Sequence, residues 1–254
     1  MKRGKESMGA SFLVHRSPKV QNLERRLFLR QSLSVGALAL LSGCELTDDD
    51  GIQRALSAMS RWNDGAQGWL FNPSRLAPEF PESRITKPFP FNAYYSEEEV
   101  IDVEGASYRL ELSGNIRDRK PWTLPELYAL PQISQVTRHI CVEGWSAIGK
   151  WSGVRFSDFL QRIGADLSAK YVGFRCADDY SSSIDMATAL HPQTLLAFRF
   201  ADQILPPKYG FPMKLRVPTK LGFKNPKHIA ALFVTNEYPG GYWEDKGYNW
   251  FSGS

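Results

Sequence analysis

Between Tyr108 and Val234 the apolar residues fall in short runs of strand length, broken by glycine, proline or paired polar residues, and this pattern limits the fold more than any other feature of the chain. Residues 108–114 alternate as a half-buried strand, and Tyr171–Cys176, residues 213–217 and residues 229–234 read as further strands. Leu195–Phe200 and residues 203–205 predict a hairpin turning at Ala201-Asp202. Helices are few and short. Thr123 opens one as an N-cap, with Pro125 early and Glu126 completing a capping box; residues 154–163 give another that stops at Gly164. Strands outnumber helices and regular βαβ alternation is missing, so the expected class is α+β, built on mixed or antiparallel sheets. No phosphate loop or dinucleotide fingerprint is present.

A chain of 254 residues, 43% hydrophobic, is long enough for one large domain with a full core. Its sequence pI of 8.9 suggests a basic protein, but the first 43 residues carry eight of the Lys/Arg and only two of the Asp/Glu. The rest is near neutral, so a nucleic-acid partner is not implied. Those 43 residues read as a signal peptide. Arg25-Arg26-Leu27-Phe28-Leu29 is a twin-arginine pattern, and the apolar run at residues 32–41 is far shorter than the ~20 residues of a membrane span. Leu41-Ser42-Gly43-Cys44 resembles a lipobox, which would make Cys44 a lipidated first residue and tether a periplasmic protein to the membrane. Residues 44–91 follow as an amphipathic helix, with Ile52, Leu56, Met59 and Trp62 at helical spacing and expected to pack on the body, and then a proline-rich strap over residues 72–91. Residues 92–254 form the main domain.

Chemistry concentrates in two stretches. The first is Val136-Thr137-Arg138-His139-Ile140-Cys141, followed by Val142-Glu143-Gly144-Trp145-Ser146-Ala147-Ile148-Gly149. A strand ending in a glycine-bounded loop would fold its backbone around a ligand, with the Cys141 thiol at the loop's mouth. Glu143 is either a proton carrier or a paired structural carboxylate, and Arg138 is a candidate for attracting an oxyanion. Cys141 has other readings: a disulfide with Cys176, or a zinc site with His139, although ligand spacing for zinc is poor. The second stretch, residues 207–228, carries Lys208, Lys214, Arg216, Lys220, Lys224 and Lys227, with His228 as a conditional cation, among glycines and prolines. Cations on a turn-rich backbone suit an anionic group such as a phosphate; a solvated cationic face is the plainer alternative.

Taken together, Arg138-His139-Ile140-Cys141-Val142-Glu143-Gly144-Trp145, His191-Pro192-Gln193-Thr194-Leu195, and the stretch from Leu205-Pro206-Pro207 to Lys227 resemble the molybdopterin-binding domain of the sulfite oxidase family, nearest its exported bacterial methionine-sulfoxide-reducing branch. The likeness runs from about Pro90 to the C-terminus. It implies the sulfite-oxidase-type fold and a molybdenum held by a pyranopterin dithiolene, with Cys141 as the protein's thiolate ligand. Asn92 and Tyr95, beside Ser96, match the family's cofactor-contacting Asn-x-x-Tyr. His139 and Lys224 join the cofactor set, and Asn225-Pro226-Lys227 corresponds to the loop that holds the pterin phosphate. Three positions depart from the branch: Cys176 replaces a threonine, Tyr209 an asparagine and Lys214 an arginine, with Arg216 two residues on. Because lysine and arginine are not interchangeable in a bidentate site, the phosphate contacts would be rearranged.

The activity implied is oxygen-atom transfer, with reduction of a small-molecule or protein-bound S-oxide or N-oxide expected over sulfite-type oxidation. The chain ends soon after Tyr242-Trp243-Glu244-Asp245, without the C-terminal dimerisation domain of sulfite oxidases. No haem or iron–sulfur motif is present, so electrons would come from a separate partner, a haem-bearing membrane protein in the resembled branch. The competing readings are a non-catalytic exported binding protein and a disulfide-stapled structural lipoprotein.

Overall fold

The structure, a computed structural model, describes residues 50–72 and 75–254. The twin-arginine pattern, the apolar run after it and Cys44 lie outside the described residues, as do Pro73 and Ser74 of the strap. The chain divides into two compact units, residues 1–59 and 60–254. In the first, the described part is the start of helix α1 (Asp50–Leu70). The second unit holds the remaining elements.

The strands form two sheets. In the first, β1 (Arg109–Gly114) runs parallel to β10 (Ile229–Thr235) and antiparallel to β2 (Trp122–Thr123); β5 (Tyr171–Cys176) and β6 (Ser181–Asp185) continue antiparallel from β10. In the second, β3 (Ile133–Ile140) and β4 (Ser146–Arg155) make a long hairpin. Strand β7 (Leu195–Phe200) joins β4, with β8 (Gln203–Ile204) and β9 (Lys214–Arg216) on its other edge. Short helices α2 (Leu124–Tyr128), α3 (Phe156–Arg162) and α4 (Met186–Ala189) complete the α+β architecture expected from the strand-length runs. The main core gathers Leu110, Phe156, Phe159, Phe174, Leu215 and Leu232, all buried. A smaller aromatic cluster of Phe89, Trp151, Phe200 and Tyr209 underlies the β3–β4 hairpin.

Several local readings are met. Thr123 caps α2, its hydroxyl accepting from the Glu126 N–H at 3.3 Å. The β7–β8 hairpin turns at Ala201 and Asp202 with φ of 48° and 66°, the left-handed pair a two-residue turn needs. Gly164, φ 63°, ends α3.

Two readings need correcting. The ligand-wrapping loop is confined to residues 141–145, because Ser146 to Arg155 is strand β4 and pairs along its length with β3. Gly149 is there for packing: a Cβ would meet Phe89 at 2.9 Å and both Phe200 and Trp151 Nε1 at 3.0 Å. Helix α1 forms, but in its part within the second unit the face expected to pack on the body is outward, with Trp62 exposed. Within the second unit its inward side is instead polar and small. The Asp64 carboxylate accepts from the Asn249 amide at 2.6 Å and the Phe251 N–H at 3.0 Å, and Gly68 faces the Phe251 ring.

The β4–β7 register shifts between Ser152 and Gly153. A Cβ on Gly153 would lie 1.9 Å from the Leu196 carbonyl oxygen, a backbone atom that cannot step aside without breaking the sheet. Gly153→Ala is therefore expected to cost more than about 4 kcal/mol in urea unfolding, or to abolish folding; a cost below about 1 kcal/mol would contradict the strand pairing described.

Candidate active site

Period-two alternation along β3 sends His139 and then Cys141 inward and Arg138 outward. The chain reverses at once: Gly144 takes φ 89°, its N–H donates to the Cys141 carbonyl at 3.2 Å, and the Cys141 N–H donates to the Trp145 carbonyl at 2.9 Å. Within this loop the Cys141 thiol donates to Glu143 Oε2 at 3.6 Å, and the Trp145 indole N–H donates to the same oxygen at 2.8 Å. Burial pushes the Cys141 thiol pKa up, and the Glu143 carboxylate adds to this. Cys141 and Cys176 are free thiols, so the disulfide reading is not met. Among the described residues no group of three or more His, Cys, Asp or Glu side chains could hold a metal ion, which removes the zinc reading. A metal on Cys141 would need its remaining ligands from outside the chain.

Cys141 and Glu143 open onto a cleft of about 70 Å³, with Asn92 and Tyr95 from the end of the strap and Asn225, Pro226 and Lys227 from the basic loop among its walls. Lys227 in that wall is accompanied by two further buried cations, Arg216 and Lys214, which do not themselves line the cleft. Arg216 donates to Asn225 Oδ1 at 3.0 Å, Thr137 Oγ1 at 3.1 Å and the Arg138 carbonyl at 2.6 Å, leaving its Nε without a partner. Lys214 is buried with its ammonium 4.9 Å from the Trp151 ring centroid. Lys227 donates to the Lys208 carbonyl at 2.9 Å and lies over Phe91. Among the described residues none of these three forms a salt bridge. Both His139 ring nitrogens are buried without a partner, and burial, then Lys214, Arg216 and Lys227, hold its pKa well below the usual histidine range. Burial likewise lowers Lys214 far below an ordinary lysine, Arg216 to about 9 and Lys227 to about 8. Buried cations without anions are costly. The arrangement is complementary to an anion, and Gly222 of the cleft wall packs directly on the buried imidazole: a Cβ there would come within 2.7 Å of His139 Nε2.

The structure does not bring all the expected residues to the cleft. Arg138 is exposed on the far face of β3, its guanidinium 5.2 Å from the Phe80 ring centroid, and lines a separate groove with Arg75. Ser96 is exposed, its N–H donating to Glu99 at 2.9 Å at the start of a short 3-10 turn. Tyr209 belongs to the aromatic cluster, its hydroxyl donating to the Phe89 carbonyl at 2.7 Å. Cys176 is in the main core. Lys224 is spent on a buried salt bridge to Glu244 of the C-terminal tail.

In their place the cleft gains Asp178 and Tyr180, which the sequence reading passed over, beside Tyr94 of the strap's end and Trp243, a tryptophan expected in the core or a pocket wall. Asp178 accepts from the Tyr95 hydroxyl at 2.9 Å, and its carbonyl accepts from the Tyr94 hydroxyl. Tyr94 stacks on Tyr180, and Trp243 completes the wall. Asp178, two residues past β5 in a polar turn, carried the one available signal.

An anion held by protonated Lys227 must bind more weakly as pH rises through that group's pKa of about 8. Sulfate, whose charge is constant over this range, is expected to lose about tenfold in affinity between pH 7 and pH 9 by titration calorimetry. A flat profile would remove Lys227 from the anion site.

The chain is similar to known proteins over most of its length. Residues 97–243 match the family described as "Oxidoreductase molybdopterin binding domain". The chain is 68% identical over 230 residues, 91% of its length and 88% of the other's, to the "Putative protein-methionine-sulfoxide reductase subunit YedZ1" of Azospira oryzae. It is 31% identical over 152 residues, 54% of its length, to the protein-methionine-sulfoxide reductase catalytic subunit MsrP of Burkholderia mallei, of which the match spans 46%. The crystal structure of the sulfane dehydrogenase SoxCD from Paracoccus pantotrophus shares the fold, with a TM-score of 0.51 at 20% identity over 54% of this chain and 40% of that one.

Proposed function

The chain belongs to the family of molybdopterin-binding oxidoreductases, and from that premise we propose that it reduces an S-oxide, methionine sulfoxide being the first candidate, by removal of the oxygen atom. The observation that carries this reading is the meeting of one buried thiol and Lys227 in a single cleft, with buried Arg216 bonded to Asn225 of its wall and buried Lys214 close behind, none of the three cations in a salt bridge among the described residues. A soft thiolate and an anion cradle in one site fit a group with a soft-metal centre and a phosphate.

When bound, molybdenum in its pyranopterin dithiolene supplies the two-electron change and an exchangeable coordination position. The protein's own part is orientation, exclusion of water and proton handling. Cys141 would be the thiolate ligand. Its proton has a ready acceptor in the Glu143 carboxylate, already held to the thiol and fixed by the Trp145 indole. Lys214, Arg216 and Lys227 would neutralise the phosphate, with Asn225 fixing the Arg216 fork through its side-chain oxygen. Asn92 and Tyr95 wall the cleft, and the Tyr95–Asp178 hydrogen bond fixes the strap's end against the β5–β6 turn. Tyr94, Tyr180 and Trp243 make that side apolar and limit access of water.

The names borne by the relatives make protein-bound methionine sulfoxide the first substrate to test. Because the sequence carries no haem or iron–sulfur motif, electrons are assigned to a separate donor. The twin arginines and Cys44 assign the protein to the periplasm, tethered by lipid. No helix among the described residues is long and apolar enough to cross a membrane.

The test is an anaerobic assay with a reduced viologen dye as one-electron donor. Dye oxidation on adding methionine sulfoxide, free or in an oxidised polypeptide, is the expected result. Absence of dye oxidation with every S-oxide, together with sulfite-dependent reduction of ferricyanide, would overturn the direction proposed.

A further inference from the structure

Helix α1 presents an apolar face that the fold does not use. At 3.6 residues per turn, Trp62, Ala66 and Trp69 share one side of it, with Leu70 beside them. Trp62 is 76% exposed, Trp69 83% and Leu70 71%. This outward orientation is imposed by the opposite side: Asp64 is bonded to Asn249 and Phe251, and Gly68 lies on the Phe251 ring. Turning the tryptophans inward would break those contacts, so the aromatic stripe is held outward by the body itself.

We propose that this face of α1, carried by Trp62, Trp69 and Leu70, lies on the surface of a lipid bilayer. Indole pairs an apolar body with a polar N–H and suits the boundary between headgroups and acyl chains. The two tryptophans lie seven residues apart, about 10 Å along the axis, so both meet one plane. The helix carries Asp50, Asp64, Arg54 and Arg61 and so has no net charge, which points to a surface bound by apolar contact rather than by attraction. Chain length identifies the occupant. Five residues separate Cys44 from Asp50, and a tether of that size reaches at most about 20 Å when fully extended. A lipid on Cys44 would therefore keep α1 at the membrane, and the choice of bilayer as occupant rests on that reading of Cys44. The chemistry at Cys141 plays no part in it.

The full chain produced without export, its Cys44 unacylated, would be floated with neutral phosphatidylcholine vesicles beside a Trp62→Ser/Trp69→Ser variant. Any contribution of the N-terminal segment is common to both. The wild type is expected to float at low and high salt alike, and the variant's partition coefficient to fall by at least about tenfold. Bromine-labelled lipid should quench wild-type tryptophan fluorescence and leave the variant's unchanged. Both side chains are exposed, so the far-ultraviolet circular dichroism of the variant should match the wild type. Equal flotation of the two proteins, binding abolished by salt, or no flotation by the wild type would overturn the proposal. So would a concentration-dependent dimer lost in the variant without vesicle binding, which would assign the face to a second copy of the chain. The mass of the exported protein tests Cys44 acylation separately.

Discussion

Replacing Cys141 by serine is expected to lower viologen-linked S-oxide reduction by more than about a hundredfold, since removing even outer partners of a metal ligand costs 10- to 100-fold. Serine keeps the shape but offers a hard, protonated oxygen where a soft thiolate is needed. The side chain is buried at the end of β3 and outside the main core, so urea unfolding should move by less than about 1 kcal/mol. This combination, activity lost with the fold kept, separates a ligand from a packing cysteine. Cys176→Ser provides the contrast: its thiol lies in the core cluster, and that variant should affect stability more than turnover. Retention of more than a tenth of the activity by Cys141→Ser would show that the thiol is not the ligand.

The second large effect is one of stability. The side chains of Lys224 and Glu244 are both buried and bonded through Glu244 Oε1, and Glu244 Oε2 has no partner. Burial lowers the Lys224 pKa while Glu244 opposes the shift, as expected for a cation that depends on its counter-ion. Glu244→Ala leaves that cation uncompensated and is expected to cost about 3–5 kcal/mol in urea unfolding at pH 7. Removing both charges in Lys224→Met/Glu244→Leu should restore most of the loss, because an apolar pair of similar volume avoids desolvation altogether. A cost for Glu244→Ala below about 1 kcal/mol would mean that water reaches the pair. The neighbouring Trp243 lines the cleft, so loosening this attachment is also expected to raise solvent access at Cys141.

Much of the fold was legible because strand-length apolar runs and turn residues act locally: the Ala201-Asp202 hairpin, the Thr123 cap and the stop at Gly164 depend on neighbours within a few positions. Strand β4 was hidden because Gly149 read as the end of a loop, whereas Gly149 and Gly153 are both small to admit something from elsewhere, aromatic rings at one and the Leu196 backbone at the other. The outward face of α1 escaped for a similar reason. Periodicity identifies an apolar stripe but not which side is buried, and here the bonds from Asp64 to residues 249 and 251 decide.

In the candidate site, Cys141 and the basic loop could be found from composition and motif. The division of labour among the cations could not. Arg138 and His139 are adjacent in sequence, yet strand alternation puts them on opposite faces. Lys224 stands beside Asn225 in the expected phosphate loop, yet a tail carboxylate twenty residues later takes it. Lys214 and Arg216, on the short strand β9, supply the charge that Lys224 does not.

The most direct test of the central claim is the molybdenum content of the chain purified from a host that makes the cofactor. The arrangement of Cys141 with Lys214, Arg216 and Lys227 predicts about one molybdenum per chain in the wild type, consistent with one thiolate ligand and one cradle. Protein that is folded, carries a free Cys141 thiol and contains no molybdenum would contradict it.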